Sequence, residues 1–230
     1  NVLLFSNRLA TCTGTLLEDG DRPKILISID EQGVGDRIDT AKLRKAIVDL
    51  RVGSILNAAG HAYSPAKWHD FISAIQNAAA TKGSQLPVLY GIDAIHGATY
   101  TSGAVLGPQQ IGLAATWDTA LVRKFAENAA KEVRASGIPW NFSPVLDVGR
   151  DARWPRLWET FGEDPKLVGD MGEAMVRGFQ EGEVKVAATL KHYLGYSTPW
   201  SGKDRTPAYI PERQLREIFL PPFAQAVNAG

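Results

Sequence analysis

With 230 residues, of which 44% are hydrophobic, the chain is long enough for one large domain or two small ones with a sizeable core. Its 25 basic and 25 acidic side chains balance, which argues against nucleic acid as the main partner, because such proteins carry a basic excess. No apolar run reaches the roughly 18 residues of a membrane span, and the opening stretch NVLLFSNRL is too short for a signal peptide. Cys12 is the single cysteine, so no internal disulfide is possible.

Apolar periodicity predicts alternating strands and helices in the first half of the chain. The run KILISID at 24–30 predicts a strand, and the loop 31–37 after it contains GVG, which lacks the third spaced glycine of a dinucleotide-binding fingerprint. Thr40 is predicted to cap a helix. Strands are also predicted at 52–57 and at 87–91. Between them, a helix is predicted to begin at Ser64-Pro65 and to end at Gly83, with Trp68, Phe71, Ile72 and Ile75 on its buried face.

The second half of the chain continues this alternation, which is typical of parallel βα units. Asp118 is predicted to cap a helix whose inward residues are Leu121, Val122, Phe125 and Val133. A strand at 139–147, a helix that begins at Asp164-Pro165 and a strand at 184–193 follow. Pro211 opens the last predicted helix, which Pro221-Pro222 kink and whose apolar face continues at Phe223 and Val227. About five strands are predicted, whereas a closed (β/α)₈ barrel needs eight and about 250 residues. Two architectures therefore stay open: an open doubly wound sheet and the front part of a larger barrel.

The stretch from Trp140 to Pro165 is the most informative in the chain. It begins as an apolar run that predicts a buried strand, and this pattern breaks at Asp147. Tryptophans, acids and three arginines then follow: Arg150, Arg153 and Arg156. Guanidinium groups donate to hydroxyls and indole rings stack on C–H faces, so the mixture suits a polar, ring-shaped ligand, although a solvated loop with ion pairs has a similar composition.

Polar residues follow three of the predicted strands at their carboxyl ends. Asp93 and His96 come after the first of these strands, and Lys191 and His192 stand at the end of the third. The residues after the second strand are Asp147, Arg150, Arg153, Arg156 and Glu159. Ligand sites of parallel α/β folds gather beyond the carboxyl ends of strands, so we expect these side chains in one site. A carboxylate accepts hydrogen bonds from adjacent hydroxyls and the cations donate to others, which predicts a neutral polyol such as a sugar.

Two other chemistries have little support in the sequence. The histidines at positions 61, 69, 96 and 192 show no paired ligand spacing, and Cys12 is alone, so no metal site is predicted. No G-x-S-x-G elbow occurs, which argues against a serine hydrolase.

These residues stand in ordered blocks that resemble a known enzyme family. The blocks are VGSILN, LPVLYGIDAIHGA, GPQQIGLAATWD, GIPWNFSPVLDVGRDARWPRLWETFGEDP, LKHYLGYSTPWSGKDRTP and LPPFAQAVNAG. In them the chain resembles, from about Val52 to Gly230, the N-terminal part of family-three glycoside hydrolases, in the β-glucosidase and exo-β-glucanase branch. One departure is Pro155 in WPR, where the family usually has WGR.

The resemblance implies a fold and a role for each site residue. The fold would be the N-terminal part of a (β/α)₈ TIM-type barrel, an α/β fold, in which residues 1–51 lead into an incomplete barrel domain at residues 52–230. Four residues would bind the hydroxyls of the terminal glucosyl unit: Asp93, Arg156, Lys191 and His192. Three would support them: Glu159 as a partner of Arg156, Arg205 at the rim, and His96.

The resemblance also implies retaining hydrolysis of terminal β-D-glucosyl residues from β-glucosides or β-glucan oligosaccharides, without a metal or organic cofactor. The family's nucleophile is an aspartate in an SDW-like motif and its acid/base is a glutamate of a later domain. Neither is found here, so both are expected beyond Gly230, and the 230-residue piece, whose partner would be the missing C-terminal part, is expected to be inactive alone. Many relatives are secreted or periplasmic, which implies an extracellular or periplasmic location.

Several alternatives remain at this stage. The loop GYSTPWSGKDR lacks the histidine of the branch that removes N-acetylglucosamine, which favours a glucosidase. β-Xylosidase activity stays open, since a pentose would use most of the same contacts. A non-catalytic sugar-binding module, such as a transport receptor, and a free-standing open α/β domain with another ligand are the rivals from other classes.

Overall fold

The computed structural model describes residues 27–29, 36–56, 62–81 and 86–230. The sequence features at Cys12, Gly33, Gly35, His61 and Gly83 lie outside these residues. Within the described part, no helix is both long enough and apolar enough to cross a membrane.

In the described residues, a short strand pair comes first, and each of the three later strands is followed by one or more helices. The strands are β1 (Ile27–Ile29), β2 (Asp36–Ile38), β3 (Ser54–Leu56), β4 (Leu89–Ile92) and β5 (Trp140–Asn141). The helices are α1 (Thr40–Arg44), α2 (Pro65–Thr81), α3 (Gln110–Ala114), α4 (Thr119–Ala135), α5 (Pro165–Gln180), α6 (Glu212–Gln214) and α7 (Leu220–Asn228). A π-helical turn at Lys45–Asp49 extends α1, a 3₁₀ turn at Leu157–Glu159 precedes α5, and a second π-helical turn at Leu215–Phe219 joins α6 to α7.

The parallel sheet runs in chain order, from β3 to β4 to β5. Ser54 lies opposite Leu89, and Gly91 lies opposite Trp140. The segment after α5 continues this order, because Ala187 forms a parallel bridge to Trp140. A doubly wound sheet reverses its strand order at a switch point, whereas a barrel does not, so this sequential order favours the barrel over the open sheet.

The pair β1–β2 is antiparallel, with Ile27 opposite Ile38. The sequence predicted a loop over 31–37, so the strand β2 at its end was missed. The two strands are only three residues long, and a run this short leaves no clear period in the sequence.

The predicted strand at 139–147 is wrong in its length, because regular pairing stops at Asn141. From that point on, two side-chain amides supplement the remaining backbone hydrogen bonds. The Asn141 amide accepts from the Ala94 backbone N–H at 2.8 Å and donates to its carbonyl at 3.1 Å. The Gln110 amide bonds both backbone groups of Val145 in the same way, at 3.0 and 2.8 Å. Both amides are buried, and they satisfy backbone groups of Ala94 and Val145 that the irregular chain path leaves without a regular ladder.

The predicted strand at 184–193 is likewise not a regular strand, although its chain path is the expected one. The Ala187 N–H donates to the carbonyl of Pro139, the Thr189 N–H to that of Ser143 and the Lys191 N–H to that of Pro144, at 2.9, 3.0 and 3.2 Å. This register brings the end of the segment beside Asp147. The regular ladder fails because Pro144 has no N–H to donate.

The helices pack on the sheet through the apolar faces that the sequence predicts. Trp68, Phe71, Ile72 and Ile75 of α2 are buried, and α4 and α5 pack on each other. The start of α5 is confirmed, since the Asp164 carboxylate accepts from the N–H groups of Lys166 and Leu167 at 2.7 and 3.2 Å.

Three details of the helix predictions are wrong. The cap of α1 is Asp39, one residue before Thr40, because its carboxylate accepts from the Lys42 N–H at 3.0 Å. Leu121 and Val227, predicted to face inward, are 45% and 48% exposed. Both stand at the edge of their helix's apolar stripe, where spacing alone does not decide burial.

The proline pair Pro221-Pro222 interrupts its helix in an unexpected form. A π-helical turn at Leu215–Phe219 precedes the prolines, which then stand in the first turn of α7. Backbone N–H groups in a first turn have no helical partner, so proline costs little there.

Candidate functional site

A cavity of about 430 Å³ opens at the carboxyl ends of the strands. Its lining residues are Asp93, Ile95, His96, Thr99, Tyr100, Gln109, Arg156, Trp158, Glu159, Lys191, His192 and Arg205. The seven residues to which the resemblance assigns a binding or supporting role are among them: Asp93, His96, Arg156, Glu159, Lys191, His192 and Arg205. Asp147, which was expected in the same site, is buried and does not line the cavity. The volume lies in the range of small-ligand sites.

The first wall of the cavity joins two strand ends. Lys191, at the end of the segment after α5, donates from Nζ to Asp93 Oδ1 at 2.5 Å. Asp93 follows β4 directly, and its side chain stays 31% exposed. Tyr100 lines the same wall, and burial together with the negative charge of Asp93 raises the pKa of its hydroxyl, which is therefore a neutral donor at ordinary pH.

The second wall of the cavity is built on Arg156. Its Nε and Nη2 donate to the two oxygens of Glu159 at 2.8 and 2.6 Å, and the Glu159 side chain is only 8% exposed. Burial alone would lower the pKa of Arg156, but the hydrogen bonds and charge of Glu159 outweigh it and raise that pKa above its ordinary value. The guanidinium plane is thus fixed by a two-point contact.

His192 connects this wall to the buried carboxylate of Asp147. Asp147 Oδ2 lies 2.7 Å from His192 Nδ1 and accepts from the His192 backbone N–H at 3.1 Å. On the other side of the ring, Nε2 lies 3.2 Å from Arg156 Nη2. Arginine can only donate, so Nε2 accepts and Nδ1 carries the ring hydrogen that His192 donates to Asp147.

Tyr196 and Asp204 complete this wall, and sequence reasoning missed both. The Tyr196 hydroxyl donates to Asp204 Oδ1 at 2.7 Å and accepts from Arg156 Nη1 at 3.5 Å. Trp154 also donates to Asp204 Oδ1, at 2.9 Å. An aromatic and an acid in the loop after His192 were the available signal, but nothing in their spacing assigns them to Arg156.

The two tryptophans of the loop after Asp147 have different environments. Trp154 is 1% exposed and its ring packs edge-on against Tyr196, so it supports the wall from behind. Trp158 is 47% exposed and lines the cavity, and its indole N–H donates to the carbonyl of Pro155 at 2.8 Å. Trp158 therefore offers an aromatic face to a ligand.

Two of the three arginines of that loop do not reach the cavity. Arg153 makes a two-point contact with Asp151, at 3.0 and 2.8 Å, which lowers the pKa of that carboxyl. Arg150 is exposed. The sequence cannot separate these residues from Arg156, because all three have the same spacing of three positions.

His96 and Arg205 lie at the periphery. His96 Nδ1 is 3.1 Å from the Gly107 carbonyl, which can only accept, so Nδ1 donates. Arg205 has a backbone φ of 59° and a side chain that is 84% exposed, with Nε 3.7 Å from Asp204 Oδ2. Arg205 thus stands at the cavity mouth as a loosely paired cation.

The cavity as a whole is polar and charge-compensated. Asp93 is paired with Lys191 and Glu159 with Arg156, which leaves Arg205 at the mouth. Within the described part of the chain, no group of three or more His, Cys, Asp or Glu side chains is arranged to hold a metal ion. Alternating donors and acceptors of this kind match the hydroxyl groups of a neutral, ring-shaped polyol.

Parallel strands in chain order, with helices between them and a polar cavity at their carboxyl ends, define an α/β domain of the TIM-barrel type. Residues 26–230 match the family described as the glycosyl hydrolase family 3 N-terminal domain. The chain therefore belongs to glycosyl hydrolase family 3, as its resemblance in sequence indicated.

Relatives and a solved structure agree with this assignment. A lysosomal beta glucosidase of Dictyostelium discoideum is 45% identical over 198 residues, which cover 78% of this chain and 24% of the relative. A beta-xylosidase of Formosa agariphila is 39% identical over 164 residues, covering 66% and 23%. A periplasmic beta-glucosidase of Salmonella typhimurium is 28% identical over 192 residues, covering 82% and 24%. The exo-1,3/1,4-beta-glucanase of a Pseudoalteromonas species superposes with a TM-score of 0.76 at 33% identity, over 84% of this chain and 26% of that one.

This chain spans about a quarter of the length of the curated relatives it matches. Those relatives include both β-glucosidases and a β-xylosidase. The comparisons thus establish a glycosidase family, while the substrate and the complete reaction are matters of proposal.

Proposed function

We propose that the whole protein is a retaining, exo-acting β-glucosidase and that this chain supplies the subsite for the terminal glucosyl unit. The observation that carries the proposal is the meeting of Asp93, Arg156, Lys191 and His192 at one cavity, although they come from three separate strand ends. Family membership supports the same reading.

Each of these side chains has a donor or an acceptor to offer a sugar. Asp93 is 31% exposed, so its carboxylate accepts from adjacent hydroxyls while Lys191 holds it in place. A guanidinium has five N–H groups, more than the four contacts of Arg156 with Glu159, His192 and Tyr196, which leaves a donor for the ligand. Trp158 offers an apolar face to the ring. Binding of this kind orients the anomeric carbon for attack.

The proposed reaction needs two carboxyl groups about 5–5.5 Å apart, one as nucleophile and one as acid/base. The two cavity carboxylates, Asp93 and Glu159, are each bonded to a cation and fit binding roles better. We therefore place the nucleophilic aspartate and the acid/base glutamate outside residues 1–230, which agrees with the fraction of its relatives that this chain covers. The reaction so written uses no metal or organic cofactor.

The division of the chain and its location are parts of the same proposal. Residues 1–51 lead into the barrel, and residues 52–230 form its first part, which is completed by the rest of the protein. The location is extracellular or periplasmic, as for the periplasmic relative; a lysosomal relative is the alternative.

The first test is turnover of an aryl β-D-glucopyranoside by the full-length gene product and by the 230-residue chain alone. We expect turnover only from the full-length protein, with release of one glucose per event and retention of the anomeric configuration by NMR. The surface variant Arg153→Ala, which removes an exposed ion pair outside the cavity, is the matched control and should match the wild type. Robust turnover by the 230-residue chain, or an inverted product, would contradict the proposal.

A β-xylosidase is the second candidate, because the Formosa agariphila relative is one. The kcat/KM values for the aryl β-D-glucoside and the matching xyloside separate the two, and we expect the glucoside to be preferred. Saturable glucose binding without any turnover of either substrate by the full-length protein would instead indicate a sugar-binding module.

A further inference from the structure

Asp147 is a buried carboxylate that the proposed binding subsite does not use. Its residue is 2% exposed, and both hydrogen bonds that its Oδ2 accepts come from His192. Its other oxygen, Oδ1, is buried and has no hydrogen-bond partner among the described residues. An unpartnered buried carboxylate oxygen is costly, so the carboxylate is not arranged for stability alone.

We propose that Asp147 is a positioning residue that sets the tautomer of His192, so that His192 meets the ligand as a hydrogen-bond acceptor. The inference rests on the proposed sugar-binding role of His192. Asp147 has no acidic hydrogen to donate as a carboxylate, so it bonds the ring only when Nδ1 carries the hydrogen. The lone pair of the neutral ring then lies on Nε2, on the side of Arg156.

The accepting Nε2 complements the other groups of the cavity. Lys191 and Arg156 only donate, and in the unliganded site Nε2 accepts from Arg156 Nη2 at 3.2 Å. A sugar hydroxyl that enters here donates its hydrogen to Nε2 and accepts from the guanidinium, so both capacities of the hydroxyl are used. The opposite tautomer would set an N–H of His192 against the N–H groups of Arg156, which is unfavourable and leaves the hydroxyl without an acceptor.

The backbone contact makes the orientation of the carboxylate specific. Asp147 Oδ2 accepts from the main-chain N–H of His192 as well as from its ring, so the carboxylate and the imidazole are fixed to the same residue at two points. In Asp147→Asn, the side-chain amide can place its oxygen where Oδ2 lies and accept from both donors of His192, its backbone N–H and its ring Nδ1. The flipped amide is unfavourable, because its NH₂ group would face these two donors. Asp147→Asn therefore retains the tautomer, whereas Asp147→Ala releases it.

The test is a double-mutant cycle on the full-length protein with an aryl β-D-glucoside. We expect Asp147→Ala to lower kcat/KM by about ten- to hundredfold, the size of one hydrogen bond to a charged group, and Asp147→Asn to restore part of that loss. In a His192→Ala background, Asp147→Ala should lower kcat/KM no further, because the group it positions is gone. The control is Asp151→Asn, which alters an exposed ion pair on the same loop and should leave kcat/KM unchanged.

A second readout is independent of activity. In protein labelled with ¹⁵N-histidine, the His192 resonances, assigned by their loss in His192→Ala, should show a protonated Nδ1 and an unprotonated Nε2, and Asp147→Ala should mix the two tautomers. If Asp147→Ala does not fold, the cycle is run with Asp147→Asn, whose smaller loss in kcat/KM should disappear in a His192→Ala background while its spectra keep the protonated Nδ1. An equal loss from Asp147→Asn in both backgrounds, or a protonated Nε2 in the wild type, overturns the inference.

The outcomes separate this inference from the proposed function. A loss in His192→Ala with no loss in Asp147→Ala, or equal losses from Asp147→Ala in both backgrounds, overturns the positioning role and leaves the sugar subsite standing. A His192→Ala protein with wild-type kcat/KM overturns the binding role of His192 and the inference with it.

Discussion

The two ion pairs of the cavity are built differently. Asp93 and Lys191 are 98 positions apart, come from two strand ends and share one hydrogen bond, with the carboxylate 31% exposed. Arg156 and Glu159 are three positions apart and share two hydrogen bonds, with the carboxylate 8% exposed. The carboxylate of the first pair keeps surface for a ligand, whereas the carboxylate of the second is nearly sealed.

This difference separates binding from support. The long-range pair exists only when the sheet has assembled, and its accessible carboxylate can exchange a protein contact for a ligand contact. The local pair is also bonded to His192 and Tyr196, so it holds the loop in one geometry before any ligand arrives. We therefore expect changes in the first pair to affect activity more than folding stability, and changes in the second to affect both.

The largest effect is expected for Glu159→Gln. The substitution leaves the partly buried Arg156 without its counter-charge, and breaking such a pair costs about 3 kcal/mol in the free energy of unfolding. Urea unfolding of the full-length protein measures this cost, and kcat/KM should fall as well. Glu163→Gln, an exposed acid of the same loop, is the control and should be neutral. Unchanged stability in Glu159→Gln would remove the distinction between the two pairs.

The second largest effect is expected for Asp93→Ala, which should affect activity more than folding stability. We expect kcat/KM for an aryl β-D-glucoside to fall by roughly a hundredfold, because charge-assisted hydrogen bonds to the substrate are lost. The loss of stability should be smaller than in Glu159→Gln, because Lys191 loses one hydrogen bond where Arg156 loses a two-point contact. Steady-state kinetics and urea unfolding on the same preparation test both halves. A protein that loses stability but keeps its kcat/KM would reverse the roles assigned to the pairs.

Tyr196→Phe should have a smaller effect on the supporting wall. It removes the hydroxyl between Arg156 and Asp204 but keeps the ring that packs on Trp154, so a loss of about 1 kcal/mol in stability is expected. Thermal unfolding measures it. Tyr209→Phe, at a tyrosine that is 73% exposed, is the matched control. An equal shift in both variants would show that the network around Arg156 contributes nothing.

The smallest expected effect concerns the acid dependence of stability. Burial alone would raise the pKa of Asp204, but the hydrogen bonds from Tyr196 and Trp154 outweigh it and hold that pKa below the ordinary value of 3.8. A carboxyl whose pKa is lower in the folded state stabilises the protein above the unfolded-state pKa, and this stabilisation is lost as the pH falls through the folded-state pKa. The stability of Asp204→Asn should therefore converge with that of the wild type below about pH 4. Parallel curves from pH 7 to pH 3 would refute this.

The sequence predicts the elements that depend on local chemistry. Asp164 followed by Pro165 marks a helix start, and the apolar stripe of α2 marks a buried face; both are confirmed. The sequence also predicts that Asp93 and Lys191 lie close together, because parallel chain segments bring their carboxyl ends to one edge of the sheet, and the two side chains share a hydrogen bond.

The sequence does not predict contacts that depend on the exact chain path. The buried amides of Asn141 and Gln110 end the regular strand by bonding distant backbone groups, and no periodicity encodes such bonds. Arg153 and Arg156 look alike in sequence, yet only Arg156 has a buried acid three positions later on its own side of the loop. Tyr196 joins the site only because Asp204 and Trp154 hold its hydroxyl there.

The backbone of Arg205 has a consequence for engineering. A left-handed conformation is unfavourable for any residue with a β-carbon, by about 1 kcal/mol, and glycine would adopt it freely. The loop thus tolerates a less favourable backbone and keeps a positive charge at the entrance. A library at this single position would trade that charge against a more relaxed loop, and it offers a way to change which ligands enter the cavity without altering the barrel.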